Sequence, residues 1–480
     1  MHKLISLSEA KKTLSLNEKV GQFFMPAAFI NDTEAEIQNL EKIIGENGIG
    51  SICFFHSRAS AATNYEGKKE VVYNAKSLER LKQLIDRYQR ASKIPLLIAI
   101  DAEWGLAMRI EETPQYPYAL TLGAINNNPE LIKQVGLNIG LDCKKAGIHW
   151  NLCPAVDINN NAENPVIGYR SFGDNPKEVY KNAMAFIQGM DKSGTLNSIK
   201  HFPGHGDTAV DSHLGLPRID KSKAMLLQNE LYPFKNLIEN GVDSVMVGHL
   251  AVPALSMSET QSATLSKALI TGFLRNELGH KGVVITDALN MHSVSKLYAD
   301  EGQLEWEAFD AGNDVLCFAE HTLAGIQKII EKAPSERIEN SFERIWKLKE
   351  KAFATQVKEI IPVDYKFLLG ELAIATLTVV KGNESQLPEF YEVGFEAVQI
   401  GTTKQNHFAE ALFGHTSNKE KVVIGIFPPQ MKPQHNFGLT ENDITKINEL
   451  IENKEAAVYL FGNPYALLLI NWQKAAMVVV

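Results

Sequence analysis

The chain has 480 residues, 45% of them apolar and 22% charged. That is enough for a large core and excludes disordered, collagen-like and disulfide-scaffold classes. The formal charge of −9 argues against nucleic acid or an anionic membrane as the main partner.

At roughly 100–200 residues per domain the length fits two or three domains, or one large barrel with a smaller unit. Three of the four cysteines, Cys53, Cys153 and Cys317, sit in apolar runs, where Cys acts as a small buried hydrophobe. There is no C-x-x-C pair, signal-like leader or apolar run approaching the ~20 residues of a membrane span. The expected compartment is the cytoplasm, or the periplasm if an export signal has been removed.

In chain order, eight short β-rich runs alternate with helical patterns: 21–27, 50–55, 96–100, 149–156, 198–201, 244–247, 283–286 and 315–318. They are continuous apolar runs, as parallel strands buried on both faces require. Between the first two, Ile37, Leu40, Ile43 and Ile44 make one helical face, opened by Thr33 and Glu36 as a capping box. Between the second and third, Leu78, Leu81, Leu84, Ile85 and Tyr88 make another. This order predicts a (β/α)8 barrel over residues 1–355. An open doubly wound sheet is the alternative, but its glycine-rich phosphate turn is absent after the first strand, where the chain reads Met25-Pro26-Ala27-Ala28-Phe29.

A charged helix over 338–354 leads to a linker at 356–370. Further β runs at 377–380, 397–401, 422–427, 457–461 and 477–480 predict a smaller α/β sandwich domain over 371–480. The sequence stops inside the last run, so this domain is expected to be truncated.

Chemistry in such a barrel sits at the C-terminal strand ends and the loops after them. Asp101 and Glu103 follow strand three, and Asp157, Asn159 to Asn161 and Arg170 follow strand four. Strand five runs into Lys200-His201-Phe202-Pro203-Gly204-His205-Gly206-Asp207 and on to Asp211-Ser212-His213; His249 ends strand six and Asp287 strand seven. The loop after strand five has three readings. It is a solvated loop, a metal site drawing on His201, His205, Asp207, Asp211 and His213, or an acid–base device in which Asp211 orients His213. Pro203 and Gly204 break any helix, removing helical i, i+4 ligand geometry, and no metal or other cofactor is expected. Asp287 either projects into the barrel mouth or caps the next helix.

Together these residues resemble glycoside hydrolase family 3, in its β-N-acetylglucosaminidase (NagZ-type) branch. The family signature K-H-[FI]-P-G-[HN]-G-x4-D-[ST]-H is matched without a gap from Lys200 to His213. Arg170-Ser171-Phe172-Gly173-Asp174-Asn175-Pro176, Ile285-Thr286-Asp287, Ala311-Gly312-Asn313-Asp314 and an opening Leu16-Asn17-Glu18-Lys19-Val20-Gly21-Gln22 support it.

The resemblance implies a retaining exo-β-N-acetylglucosaminidase with Asp287 as nucleophile and an Asp211/His213 acid–base dyad. It also implies sugar binding by Asp101, Arg170, Lys200 and His201, with His249 grouped beside them. Lys200 and Arg170 would favour an ionised Asp287. The implied substrate is a small soluble glycan or muropeptide from cell-wall recycling. The alternatives are a family 3 β-glucosidase or β-xylosidase and a non-catalytic sugar-binding protein, and phosphate could replace water as acceptor. One departure is Asp101-Ala102-Glu103-Trp104-Gly105 where the branch usually has Asp-Gln-Glu-Gly-Gly; Trp104 is expected to pack between strand and helix rather than stack on a sugar.

Overall fold

The computed structural model describes residues 3–56, 73–208, 215–354, 360–383, 385–412 and 420–480. The barrel strands are β1 (Phe24–Met25), β2 (Ala27–Phe29), β3 (Ser51–Phe55), β4 (Leu97–Ile100), β5 (Trp150–Asn151), β6 (Ile199–Phe202), β7 (Ser244–Val247), β8 (Val283–Thr286) and β9 (Leu316–Cys317). All pair in parallel, in the order β2-β3-β4-β5, β6-β7-β8 and β1-β9. Bridges Trp150↔Leu196 and Ala155↔Lys200 join β5 to the β6 segment, and Ile285↔Val315 joins β8 to the β9 segment. The result is a (β/α)8 barrel.

Two expected strands differ in extent. The first is divided at Pro26, which has no N–H to place in a ladder, so β1 pairs with β9 and β2 with β3. The fourth keeps only two residues in regular pairing. Pro154 interrupts the rest, and the chain rejoins its neighbour where Val156 N–H donates to Lys200 O at 2.8 Å.

The helices that follow the strands are α1 (Glu34–Asn47), α2 (Ser77–Ala91), α3 (Pro129–Ala146), α4 (Pro176–Ser193), α5 (Leu231–Glu239), the π-type α6 (Ala268–Glu277), α7 (Gln303–Ala311) and α8 (Thr322–Lys332). The Thr33/Glu36 capping box opens α1. Helix α2 buries Leu81, Leu84, Ile85 and Tyr88 against the barrel. Then come α9 (Ser335–Phe353) and α10 (Tyr365–Thr376). Leu368 and Leu372 of α10 join the barrel core. The expected linker at 356–370 is therefore helical from Tyr365, in a helix packed on the barrel; residues 355–359 lie outside the described set.

The second sheet is β10 (Val379–Lys381), β11 (Glu396–Ile400), β12 (Lys421–Ile426), β13 (Glu455–Leu460) and β14 (Met477–Val479), in the order β10-β14-β13-β12-β11. Among the described residues the β10–β14 pair is antiparallel and the other pairs of this sheet are parallel. Alternate residues of β12 feed two cores. Val422, Ile424 and Ile426 pack with Ile447 and Ile451 of α11 (Glu441–Asn453), and Val423 packs with Phe390, Phe395 and Ala457 on the other face. This is an α/β sandwich. Among the described residues no helix is long and apolar enough to cross a membrane.

Lys349 of α9 is fully buried at the N-terminal end of the strands. Its ammonium donates to Gln22 Oε1 at 2.5 Å and to Pro95 O at 2.8 Å. Burial pushes its pKa down to about 7. Between that value and the ordinary lysine range the unfolded chain binds the extra proton, so Lys349 opposes folding most at or below neutral pH and least in alkali. Raising the pH from 6 to 9.5 should therefore shift the Tm difference between wild type and Lys349→Met in favour of wild type. A pH-independent difference in scanning calorimetry would contradict this.

Candidate active site

The C-terminal ends of β4, β5, β6 and β8 bring the predicted charges together. Lys200, at 2% side-chain exposure, donates to Asp101 Oδ1 at 2.8 Å and to Glu103 Oε1 at 2.7 Å. Arg109 holds the other Asp101 oxygen at 2.8 Å and lies over the Phe55 ring. Arg170 grips Glu103 with Nε and Nη2 at 2.9 and 2.7 Å. Burial alone would raise both carboxyl pKa values, but the adjacent cations win. Lys200 and Arg109 draw Asp101 down to about 2, and Arg170 and Lys200 draw Glu103 lower still.

Behind this cluster lies Asp157, fully buried. It accepts the His201 backbone N–H, His201 Nδ1–H at 2.8 Å and the His205 N–H at 2.7 Å. Burial opposes its ionisation, and the nearby His201 and these donors outweigh that, lowering its pKa. With Nδ1–H on Asp157, His201 Nε2 accepts from Arg170 Nη2 at 3.2 Å. The ring nitrogens of His201, expected to take part in sugar binding, face Asp157 and Arg170.

Asp287 follows β8 directly and is half-buried. Its backbone N–H donates to Val247 O at 2.9 Å, and its Oδ1 accepts the Ala288 N–H at 2.8 Å. It does not cap the next helical turn, which begins at His292 with Met291 as its cap. Lys200 and Arg170, expected to hold Asp287 ionised, have Asp101 and Glu103 as their ion-pair partners.

His249, grouped in the sequence with the sugar-binding residues, is fully buried. Its Nε2–H donates to Ala288 O at 3.0 Å, and Nδ1 accepts from Thr264 Oγ1 at 2.7 Å. It therefore braces the turn that carries Asp287. Asp211 and His213 fall within 209–214, outside the described residues. Trp104 packs edge-on against Tyr118 at 4.9 Å and near Tyr169 at 5.9 Å, as an aromatic cluster beside the charges. Among the described residues no group of three or more His, Cys, Asp and Glu side chains is arranged to hold a metal ion.

Glu103, Arg109 and Asp157 were not among the predicted site residues. Glu103 and Arg109 follow Asp101 closely after an apolar strand, and that proximity was the available signal. Nothing local marks Asp157 as the anchor of a loop more than forty residues away.

A parallel barrel with carboxylates and cations converging at its strand ends is the scaffold of a polar-substrate enzyme. Residues 15–348 match the glycosyl hydrolase family 3 N-terminal domain. Beta-hexosaminidase A of Pseudoalteromonas piscicida is 32% identical over 73% of this chain and 62% of its own length. Beta-hexosaminidase of Idiomarina loihiensis is 30% identical over 60% of this chain and 86% of its own. A glycoside hydrolase family 3 beta-N-acetylglucosaminidase from Paenibacillus sp. str. FPU-7 superposes with a TM-score of 0.75 at 25% identity, covering 97% of this chain and 93% of that one. The chain belongs to glycosyl hydrolase family 3.

Proposed function

We propose that this protein is a retaining exo-β-N-acetylglucosaminidase that releases terminal β-linked N-acetylglucosamine from soluble muropeptides in the cytoplasm. The reading is carried by Asp287 at the end of β8, at the same barrel mouth as the Asp101–Lys200–Glu103–Arg170 cluster. The names of the relatives and the unbroken Lys200–His213 signature support it.

In this mechanism Asp287 attacks the anomeric carbon while His213 gives its proton to the leaving oxygen. Asp211 favours the imidazolium before transfer. Water then attacks the glycosyl-enzyme, and His213 takes the proton back. Asp101 uses its remaining lone pairs to accept from sugar hydroxyls. Lys200 has three N–H donors and its carboxylate contacts take two, which leaves one for the sugar. Residues 1–355 would hold the whole reaction, with residues 371–480 as a supporting domain.

The decisive assay compares an aryl β-N-acetylglucosaminide with the matching aryl glucoside and follows sugar release from a muropeptide mixture. Faster turnover of the glucoside would refute the reading. His213→Ala should lose about 10²–10⁴ in rate on a poor leaving group and much less on a good one; equal losses would remove His213 as the acid. Glu103→Gln should raise KM about 10- to 100-fold by loosening Lys200 and Arg170 together, on the scale of a hydrogen bond to a charged group. An unchanged KM in steady-state kinetics would contradict that.

A further inference from the structure

In the loop between β5 and α4, one buried asparagine grips the start of the chain segment that carries Asp211 and His213. Asn164 is 1% exposed. Its amide nitrogen donates to His205 O at 2.9 Å, to Gly206 O at 3.1 Å and to Thr208 Oγ1 at 3.4 Å. Its amide oxygen accepts the N–H groups of Val166 and Ile167 at 2.9 and 2.8 Å. Both ends of the amide are therefore used, each on a different stretch of chain. The oxygen supports the turn that bears Arg170, whose N–H donates to Ile167 O at 2.7 Å. The nitrogen serves the loop after β6.

The two loops meet at further points. Asn161 Nδ2 donates to Thr208 O at 3.4 Å, and Asp157 accepts the His205 N–H at 2.7 Å. A β-carbon at Gly206 would fall 1.6 Å from Ile158 O, so this approach needs glycine. Lys221 bridges Asp207 at 2.7 Å and Glu230 at 2.5 Å, and Asn160 Nδ2 donates to the same Glu230 oxygen at 3.0 Å. The chain is thus pinned as far as Thr208. It is pinned again past Leu214, where the Ile219 N–H donates to Ala251 O at 3.0 Å and the Ala251 N–H to Pro217 O at 2.8 Å. In the sequence Asp211 and His213 lie between these two anchors.

We propose that Asn164 is a positioning residue for the acid–base pair: by holding His205, Gly206 and Thr208 it fixes the near anchor of the segment that presents His213 to the leaving oxygen. A short segment tied at both ends has few conformations, and freeing one end multiplies them. A proton donor works only within hydrogen-bond reach of the atom it serves. Loosening the near anchor therefore lowers the fraction of molecules with the donor in place, while the nucleophile and the sugar-binding cluster keep their own supports. The proposal rests on the reading of Asp211 and His213 as the acid–base pair.

The test is the leaving-group dependence of kcat/KM on two aryl β-N-acetylglucosaminides, one with a poor and one with a good leaving group. Asn164→Asp keeps the volume and the oxygen that supports the Arg170 turn, but sets a second oxygen against the acceptors of the β6 loop. On the poor leaving group it should lose about 10- to 100-fold, the scale of a catalytic group misplaced by about 1 Å, and much less on the good one. Its affinity for N-acetylglucosamine, read by calorimetry, should stay at the wild-type value. A merely structural role would lower both rates in the same proportion. If Asn164→Asp does not fold, Thr208→Val takes its place, since it removes the hydroxyl that Asn164 and the His205 carbonyl share. Equal losses on the two substrates, or wild-type rates on both, in the folded variant would overturn the proposal. His213→Ala measured in parallel separates the two failures: equal losses there refute the acid–base reading itself, whereas a leaving-group dependence in His213→Ala without one in the Asn164 variant refutes the positioning role alone.

Discussion

Asp287→Ala should lower kcat by about 10⁴ to 10⁶ on every leaving group, the scale seen when an enzyme loses its nucleophile. The turn beside it loses the Ala288 N–H bond to Oδ1 but should stay in place, because the backbone bond to Val247 O and the His249–Ala288 bond do not involve the lost carboxylate. Folding and ground-state sugar binding should therefore survive, with the loss concentrated in kcat. Asp287→Asn is the closer probe, since it keeps the shape and removes only the charge. If either variant turns over an aryl N-acetylglucosaminide at the wild-type rate, the covalent mechanism fails. A variant that binds product normally by calorimetry yet does not turn over is the expected result.

The charge balance of the barrel mouth gives this prediction its context. Three cations, Lys200, Arg109 and Arg170, meet three carboxylates, Asp101, Glu103 and Asp157, with His201 between. These groups neutralise one another before any sugar arrives. The cluster acts as a rigid polar template more than as a source of positive field at Asp287. Under the proposed function, a sugar hydroxyl entering it would exchange hydrogen bonds with water for bonds to groups already fixed in place, which keeps the reorganisation small.

Much of this was legible in the sequence because the barrel strands are short apolar runs ended by charge. Val283-Val284-Ile285-Thr286 followed by Asp287 places a carboxylate at a strand end whatever the rest of the chain does. The motif around Lys200 and His201 could be located in the same way. Position at a strand end does not say which way a ring points, however. His249 also follows an apolar strand, one residue further on, and turns inward, onto Thr264 and Ala288. Asp157 was illegible as an anchor because its partners, the N–H groups of His201 and His205, come from another strand end and acquire that role only when the barrel closes. The split at Pro26 was open to prediction, since a residue without an N–H cannot continue the ladder. The helix from Tyr365 was hidden by the Pro362 that precedes it and by an apolar composition that also suits a strand.

At the opposite end of the barrel, Asp314→Asn should destabilise the fold by about 3–5 kcal/mol, the range for removing one partner from a buried ion pair. Asp314 is fully buried after α7 and accepts from Arg344 Nη2 at 2.9 Å, from Ser341 Oγ at 2.5 Å and from the Val284 N–H of β8 at 2.9 Å. Arg275 pairs with it as well, and Arg337 approaches to 3.5 Å. One carboxylate thus ties α6, α9 and the start of β8 together. Burial would raise its pKa, but Arg275, Arg344 and Arg337 together hold it far below the usual carboxylate range. Because the folded value is depressed, the stabilisation is complete above the unfolded pKa of about 4 and fades as the pH falls through the folded value. The asparagine variant keeps the volume and strands three part-buried guanidinium groups. Its Tm deficit should therefore be large at pH 7 and shrink in strong acid. Arg344→Met should cost less, since Asp314 keeps Arg275, Ser341 and the Val284 N–H. An Asp314→Asn protein that melts with wild type at pH 7 would show that the arginines find other partners and that this carboxylate does not hold the base of the barrel.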